Sequence, residues 1–160
     1  MHKLKIWIDA DSAPVLMRRS AAEISSRNKC AVVFVANREI PTENAAEMVV
    51  CGAGKDEADN YIIRNASKND IAITRDILFA ERLVEKGITA MNDRGTVFTK
   101  DNIQDRLLER SMSMSMNLAE IGLGSKKKST YGEKELKKFA ATFEAELLRH
   151  IAAETYGYTL

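Results

Sequence analysis

The chain has 160 residues, is 45% hydrophobic, and carries 24 basic against 23 acidic residues, a formal net charge of +1. A chain of this length buries roughly 70% of its unfolded surface on folding, so it forms a core without staples, and its apolar share excludes a disordered polypeptide. The balanced charge excludes a global field drawing in nucleic acid or cationic partners; charged function must come from local clusters.

Met1-His2-Lys3 runs directly into Leu4 to Ile8, an apolar stretch too short for a signal sequence, and no segment approaches the ~20 apolar residues of a membrane span. The expectation is a cytoplasmic protein with no membrane association. Cys30 and Cys51 fall in apolar runs without Cys-x-x-Cys spacing or a histidine companion, and read as free thiols. His2 and His150 stand isolated near the two ends and receive no role.

In chain order, Leu4 to Ile8 is a strand. Ser12 caps a helix over Ala13 to Arg27, with Pro14 accommodated in its first turn. Cys30 to Ala36 is a β-branched strand, and Met48 to Cys51 a shorter one. Gly52 and Gly54 lead into a helix from Asp56 to Ala66. Asn69-Asp70 turns into the strand Ile71 to Thr74, and the helix Ile77 to Lys86 stops at Gly87. Ile88 to Met91 is the next strand, Thr96 to Phe98 a short edge candidate, and Thr99 caps a helix ending near Arg110. The Met112, Met114 and Met116 alternation with serine fits neither a clean helix nor a buried strand. Residues 122–132 read as a flexible loop, and 133–154 as an amphipathic helix packed on the domain. Continuous apolar strands alternating with helices indicate a single α/β domain over 1–160: a Rossmann-like three-layer sandwich with a mainly parallel sheet.

The aspartates carry the chemistry. Asp9 and Asp11 follow the first strand, Asp76 the Ile71 to Thr74 strand, and Asp93 the Ile88 to Met91 strand, while Asp56 and Asp59 open a helix three residues apart. In open parallel sheets, ligands bind beyond the C-terminal strand ends. Carboxylates grouped there repel one another unless protonated or neutralised, and an all-oxygen donor set without His or Cys suits Mg²⁺ or Mn²⁺ better than Zn²⁺. Each acid also has a structural use. Asp56, Asp59 and Asp11 suit helix starts, and Asp93 suits the turn Asn92-Asp93-Arg94-Gly95. An acid ending a fully apolar strand, as Asp9 does, has little structural use, and Asp76 is similar. Arg38, Arg75 and Arg94 follow strand ends and either hold phosphates or pair with the acids. Lys126, Lys127 and Lys128 form a basic spot that either tracks a nucleic-acid backbone or is a solvated loop.

Asp9-Ala10-Asp11-Ser12-Ala13-Pro14, Val35-Ala36-Asn37, Gly54-Lys55-Asp56-Glu57-Ala58-Asp59, Ile73-Thr74-Arg75-Asp76-Ile77 and Arg94-Gly95 together resemble the small bacterial YaiI/YqxD family. That family is in turn similar to PIN-like domains, metal-dependent RNases on a Rossmann-like sheet. The resemblance implies metal-site positions for Asp9, Asp59 and Asp76, with Asp11 and Asp56 as neighbours. Two positions depart from the pattern. Ala13 stands where the family usually has Cys, so no thiol mechanism operates there. Asp93 stands where the family commonly has Pro, which sets it apart as a fourth ligand.

Three functions compete. The first is a Mg²⁺- or Mn²⁺-dependent nuclease acting on RNA. Asp9, Asp11, Asp59 and Asp76 form its catalytic set, Asp56 and Asp93 complete its metal-site candidates, and Asn37, Arg94 and Lys126 to Lys128 contact substrate. A homodimer is compatible with it. The second is a haloacid-dehalogenase-type phosphatase with Asp9 as nucleophile and Asp11 as general acid. Against it, no Thr follows Asp11 by two residues, and neither Ser nor Thr ends the second strand. The third is a non-catalytic RNA-binding or regulatory module.

Overall fold

A computed structural model describes residues 1–42, 46–54, 56–119 and 130–160, with side chains described through residue 115 in the 56–119 stretch. Five strands form one sheet: β1 Lys5–Asp9, β2 Ala31–Ala36, β3 Glu47–Val50, β4 Ile71–Ile73 and β5 Thr89–Met91. Every neighbouring pair is parallel, in the order β3-β2-β1-β4-β5. Five helices accompany them: α1 Val15–Arg27, α2 Glu57–Asn65, α3 Ile77–Glu85, α4 Lys100–Ala119 and α5 Glu133–Tyr156.

Alternation along the strands builds two cores. Ile6, Ile8, Val32 and Phe34 face α1 and α5, where Met17, Ala21, Phe139, Phe143 and Leu147 close one layer. Trp7, Val33, Val35 and Ala72 face the other way, onto Ile62, Phe79, Leu83 and Ile103 from α2, α3 and α4. Both faces of the sheet are thus covered, which is why the strands read as unbroken apolar runs rather than alternating ones. The fold is the expected three-layer α/β arrangement with a C-terminal helix packed on it.

Three local expectations are corrected. Helix α1 begins at Val15, with Pro14 at the N-cap position and no side chain capping it. Ser12 and Asp11 are therefore not its caps; Pro14 presets the entry instead, and its missing N–H is one that needs no partner there. The Met-Ser stretch continues α4 to Ala119, because Met is a good helix former and the exposed serines cost little. Thr96 to Phe98 forms no strand. It folds back on β5 through a single antiparallel bridge between Met91 and Val97. Residues 122–129, including Lys126, Lys127 and Lys128, lie outside the described residues.

The order of strands decides where a ligand can sit. From β1 the chain moves to β2 and β3 on one side, then returns to place β4 on the other. The loop after β1 leads to α1 on one face, and the loop after β4 leads to α3 on the opposite face. Diverging loops open a crevice at the carboxyl ends of β1 and β4, the topological switch point of the sheet.

Candidate functional site at the switch point

Asp9 ends β1 and is half-buried at this crevice. Its Oδ2 accepts a hydrogen bond from Thr74 Oγ1 at 2.9 Å, across the switch point at the end of β4. Burial raises the Asp9 carboxyl above the ordinary carboxylate range against the effect of the Thr74 hydrogen bond, and the charges of Asp11 and Asp76 add to the rise. Asp76 follows β4. Its backbone N–H donates to Thr74 Oγ1 at 3.0 Å, and its own Oδ1 caps α3 by accepting from Leu78 N at 2.9 Å and Phe79 N at 3.4 Å.

Asp59 arrives from the first turn of α2. No described residue donates a hydrogen bond to its carboxylate. Burial pushes its pKa up to about 6, helped by the charges of Asp9, Asp76 and Asp56, while Arg82 opposes the shift. Asp56 holds the position before α2 with φ +67° and makes no side-chain cap, so its expected capping role is not met by its carboxylate. A left-handed backbone at a non-glycine residue carries strain of order 1–3 kcal/mol.

Asp11 acts on Asp9 through its charge but is held at the edge of the site by β2. Both of its oxygens accept from the backbone N–H of Asn37, each at 3.0 Å, tying the loop after β1 to the end of β2. Asn37 is therefore at the site's edge, exposed, and fixed through its main chain. Asp93 is buried and paired with Arg75, whose Nε and Nη2 lie 2.7 and 2.6 Å from Oδ2. Arg94 pairs with Glu135 of α5 at 3.7 Å.

Asp9, Asp59 and Asp76 are thus brought within electrostatic reach of one another from three separate elements. Among the described residues, no three His, Cys, Asp or Glu groups stand close enough together to hold a metal ion as they are. In donor chemistry the cluster nonetheless suits a hard divalent cation. Its donors are all oxygens, and among the described residues none donates a hydrogen bond to the Asp59 carboxylate or to Asp9 Oδ1.

Asp70 supplies the contrast. It is buried at the opposite end of the sheet and accepts from Lys5 N, Trp7 Nε1 and Ser67 N, each at 2.9 Å. That carboxylate is satisfied by the protein alone, and its role is to tie β1 to the start of β4. A broad hollow of about 940 Å³ lies at that same end, away from the aspartate cluster. Lys3, Lys5, Lys68 and Arg149 line it together with Glu47, Asp70 and Glu154, so its walls carry charges of both signs.

Sequence reasoning missed the part played by Thr74. Its hydroxyl is the one group that touches both strand-end acids, and the Thr-x-Asp spacing was the available signal.

The family model described as the uncharacterized YaiI/YqxD family matches residues 7–149. The chain belongs to this family. It is 43% identical to a UPF0178 protein of Treponema denticola over 91% of this chain and 93% of that protein. It is 42% identical to a UPF0178 protein of Psychromonas ingrahamii, covering 86% and 91% of the two chains. With a UPF0178 protein of Myxococcus xanthus it shares 35% identity over 94% and 99%. No solved structure matches the chain significantly. No helix among the described residues is long and apolar enough to cross a membrane.

Proposed function

We propose that this protein is a Mg²⁺- or Mn²⁺-dependent nuclease that hydrolyses RNA phosphodiester bonds at the β1/β4 switch point. One observation carries the reading. Asp9, Asp59 and Asp76 come within electrostatic reach of one another from three elements, and burial with mutual repulsion pushes the pKa of Asp59 up to about 6, offset only in part by Arg82 and by no hydrogen-bond donor among the described residues. Such an arrangement is costly in isolation and is relieved by a divalent cation. Asp9, Asp59 and Asp76 would hold the ion, with Asp56 behind them. When bound, the ion would polarise phosphate oxygens and acidify a water molecule. The protein's part is positional: Thr74 orients Asp9, and the α3 cap fixes Asp76. The sequence resemblance to PIN-like domains implies the same assignment of these three acids.

Asp93 is set aside as a ligand because its carboxylate is committed to Arg75. The phosphatase alternative uses Asp11 as its proton donor; its exposed carboxylate is oriented by the single backbone N–H of Asn37, shared between its two oxygens. The test is to incubate the purified protein with labelled single-stranded RNA, and separately with a generic phosphomonoester, with Mn²⁺ or with chelator. Cleavage of RNA should require Mg²⁺ or Mn²⁺ and disappear in Asp9→Asn and Asp76→Asn. Cleavage that persists at full rate in Asp9→Asn is contamination and removes the proposal; phosphomonoester turnover lost in that variant would favour the phosphatase.

A further inference from the structure

Arg75 lies between Thr74 and Asp76, yet its guanidinium does not serve the aspartate cluster. The charges acting on Asp9 are those of Asp11 and Asp76, and the cation acting on Asp59 is Arg82. Arg75 instead acts, with Arg94, on Tyr131 at the β5 side of the crevice. It is held there by Asp93, through Nε at 2.7 Å and Nη2 at 2.6 Å on the single oxygen Oδ2. The Asp93 side chain is 4% exposed and that of Arg75 43%. The anchor is therefore buried while the cation stays open to solvent.

A guanidinium carries five N–H donors in a planar fork. Nε–H donates to Asp93 Oδ2 and Nη2 makes an ion-pair contact with the same oxygen, and no other described residue accepts a hydrogen bond from the guanidinium. Asp93 is itself rigidly placed. Tyr131 Oη donates to its carbonyl at 2.7 Å, and Asn92 Oδ1 closes the turn by accepting from Arg94 N and Thr96 N, each at 2.9 Å. Burying a carboxylate to pair it with an arginine is a poor route to stability, since the desolvation cost offsets much of the attraction. It is a good route to a fixed cation, because an immobilised fork forfeits little entropy on binding an anion.

We propose that Arg75 is a substrate-binding residue, a preset guanidinium that takes a backbone phosphate of single-stranded RNA next to the scissile one, on the β5 side of Asp9, Asp59 and Asp76. This rests on the nuclease reading for the nature of its ligand. Asp93 and Tyr131 act as positioning residues.

Fluorescence anisotropy of labelled single-stranded RNA with the full chain in chelator measures binding without turnover. Arg75→Met with Asp93→Asn removes the cation without leaving a buried charge unpaired, and a thermal melt checks its fold. Binding should weaken roughly tenfold at low salt, and the log–log salt slope should become shallower by about one. Arg75→Gln, which still donates to Asp93 but is neutral, should show the same loss and decides the matter if the double variant does not fold. Arg75→Lys should fall between it and wild type, keeping the charge without the fork. Wild-type affinity and slope in the folded neutral variants would overturn the proposal, as would failure of the wild-type protein to bind RNA at all. The cleavage assay separates the two readings. Mn²⁺-dependent cleavage with unaltered binding in the neutral variants removes Arg75 alone. Binding lost in those variants, with no cleavage by wild type, keeps Arg75 as an RNA contact and removes the nuclease.

Discussion

The hydroxyl of Thr74 has a fixed polarity. The Asp76 N–H can only donate, so Thr74 Oγ1 accepts there and gives its own hydrogen to Asp9 Oδ2. Asp9 is thereby an acceptor through one oxygen whatever its protonation state. Thr74→Val preserves shape but breaks both bonds, and strands a donor and an acceptor. We expect a loss of roughly 1–3 kcal/mol in urea denaturation, against less than about 1 kcal/mol for Thr74→Ser. Equal losses would mean that the methyl group, not the hydroxyl, is what matters. Asp76→Asn should keep the α3 cap, whereas Asp76→Ala should cost about 0.5–2 kcal/mol by the same measurement. The asparagine variant therefore isolates the charge. Thr74 was hidden in the sequence because its partner Asp9 is 65 positions away. Local spacing shows the motif but not which distant oxygen completes it. The acids themselves were legible, since a carboxylate closing an apolar strand stands out against its surroundings. The commitments of Asp11 to Asn37 and of Asp93 to Arg75 were not, because both depend on how separate strands line up.

At the level of elements, the strands and four of the helices follow from apolar runs and turn residues alone, since a sheet covered on both faces leaves an unmistakable pattern. Helix α4 did not. Serine between methionines weakens the periodic signal, while backbone propensity still carries the helix forward. The docking of α5 was legible as an amphipathic face but not in its register. That register is set partly by Gly95 in the turn after β5. Its φ is +82°, and a Cβ there would meet Lys138 O of α5 at 2.7 Å. Gly87 has a similar φ of +77° with nothing within 4 Å. Gly87→Ala should therefore cost only the backbone term of roughly 1 kcal/mol, and Gly95→Ala clearly more, because α5 must also shift. Denaturation curves of the two variants make the comparison. Matching losses would show that the start of α5 is not pressed against this turn.

Across the whole molecule, the buried His150 and the half-buried Asp59 pull stability in opposite directions as pH falls. His150 of α5 is fully buried. Its Nδ1 lies 2.7 Å from Asn69 O and so carries the hydrogen, which leaves Nε2 to accept from Thr89 Oγ1 at 3.1 Å. Burial lowers its pKa below 6.5, against the opposing hydrogen bond to Asn69 and the charge of Glu146. The unfolded chain therefore takes up this proton first, and stability is lost as pH drops below about 6.5. Asp59 does the reverse. Burial and neighbouring carboxylates raise its pKa from 3.8 to about 6, so the folded chain takes up the proton first and gains stability as pH falls from about 6 toward 4. The metal-free protein should show a shallow profile in this window, because the two slopes offset. Asp59→Asn should raise the melting temperature at neutral pH and steepen the decline on acidification, since the His150 slope is then opposed only by the raised carboxyl of Asp9. His150→Gln should remove that decline and expose the Asp59 gain. Adding Mn²⁺ at neutral pH should stabilise wild type by linkage and Asp59→Asn much less. Melting temperatures across pH in chelator, then in Mn²⁺, read all of this. An Asp59→Asn profile parallel to wild type would mean that the carboxylates at the switch point do not repel, and that nothing there calls for a cation.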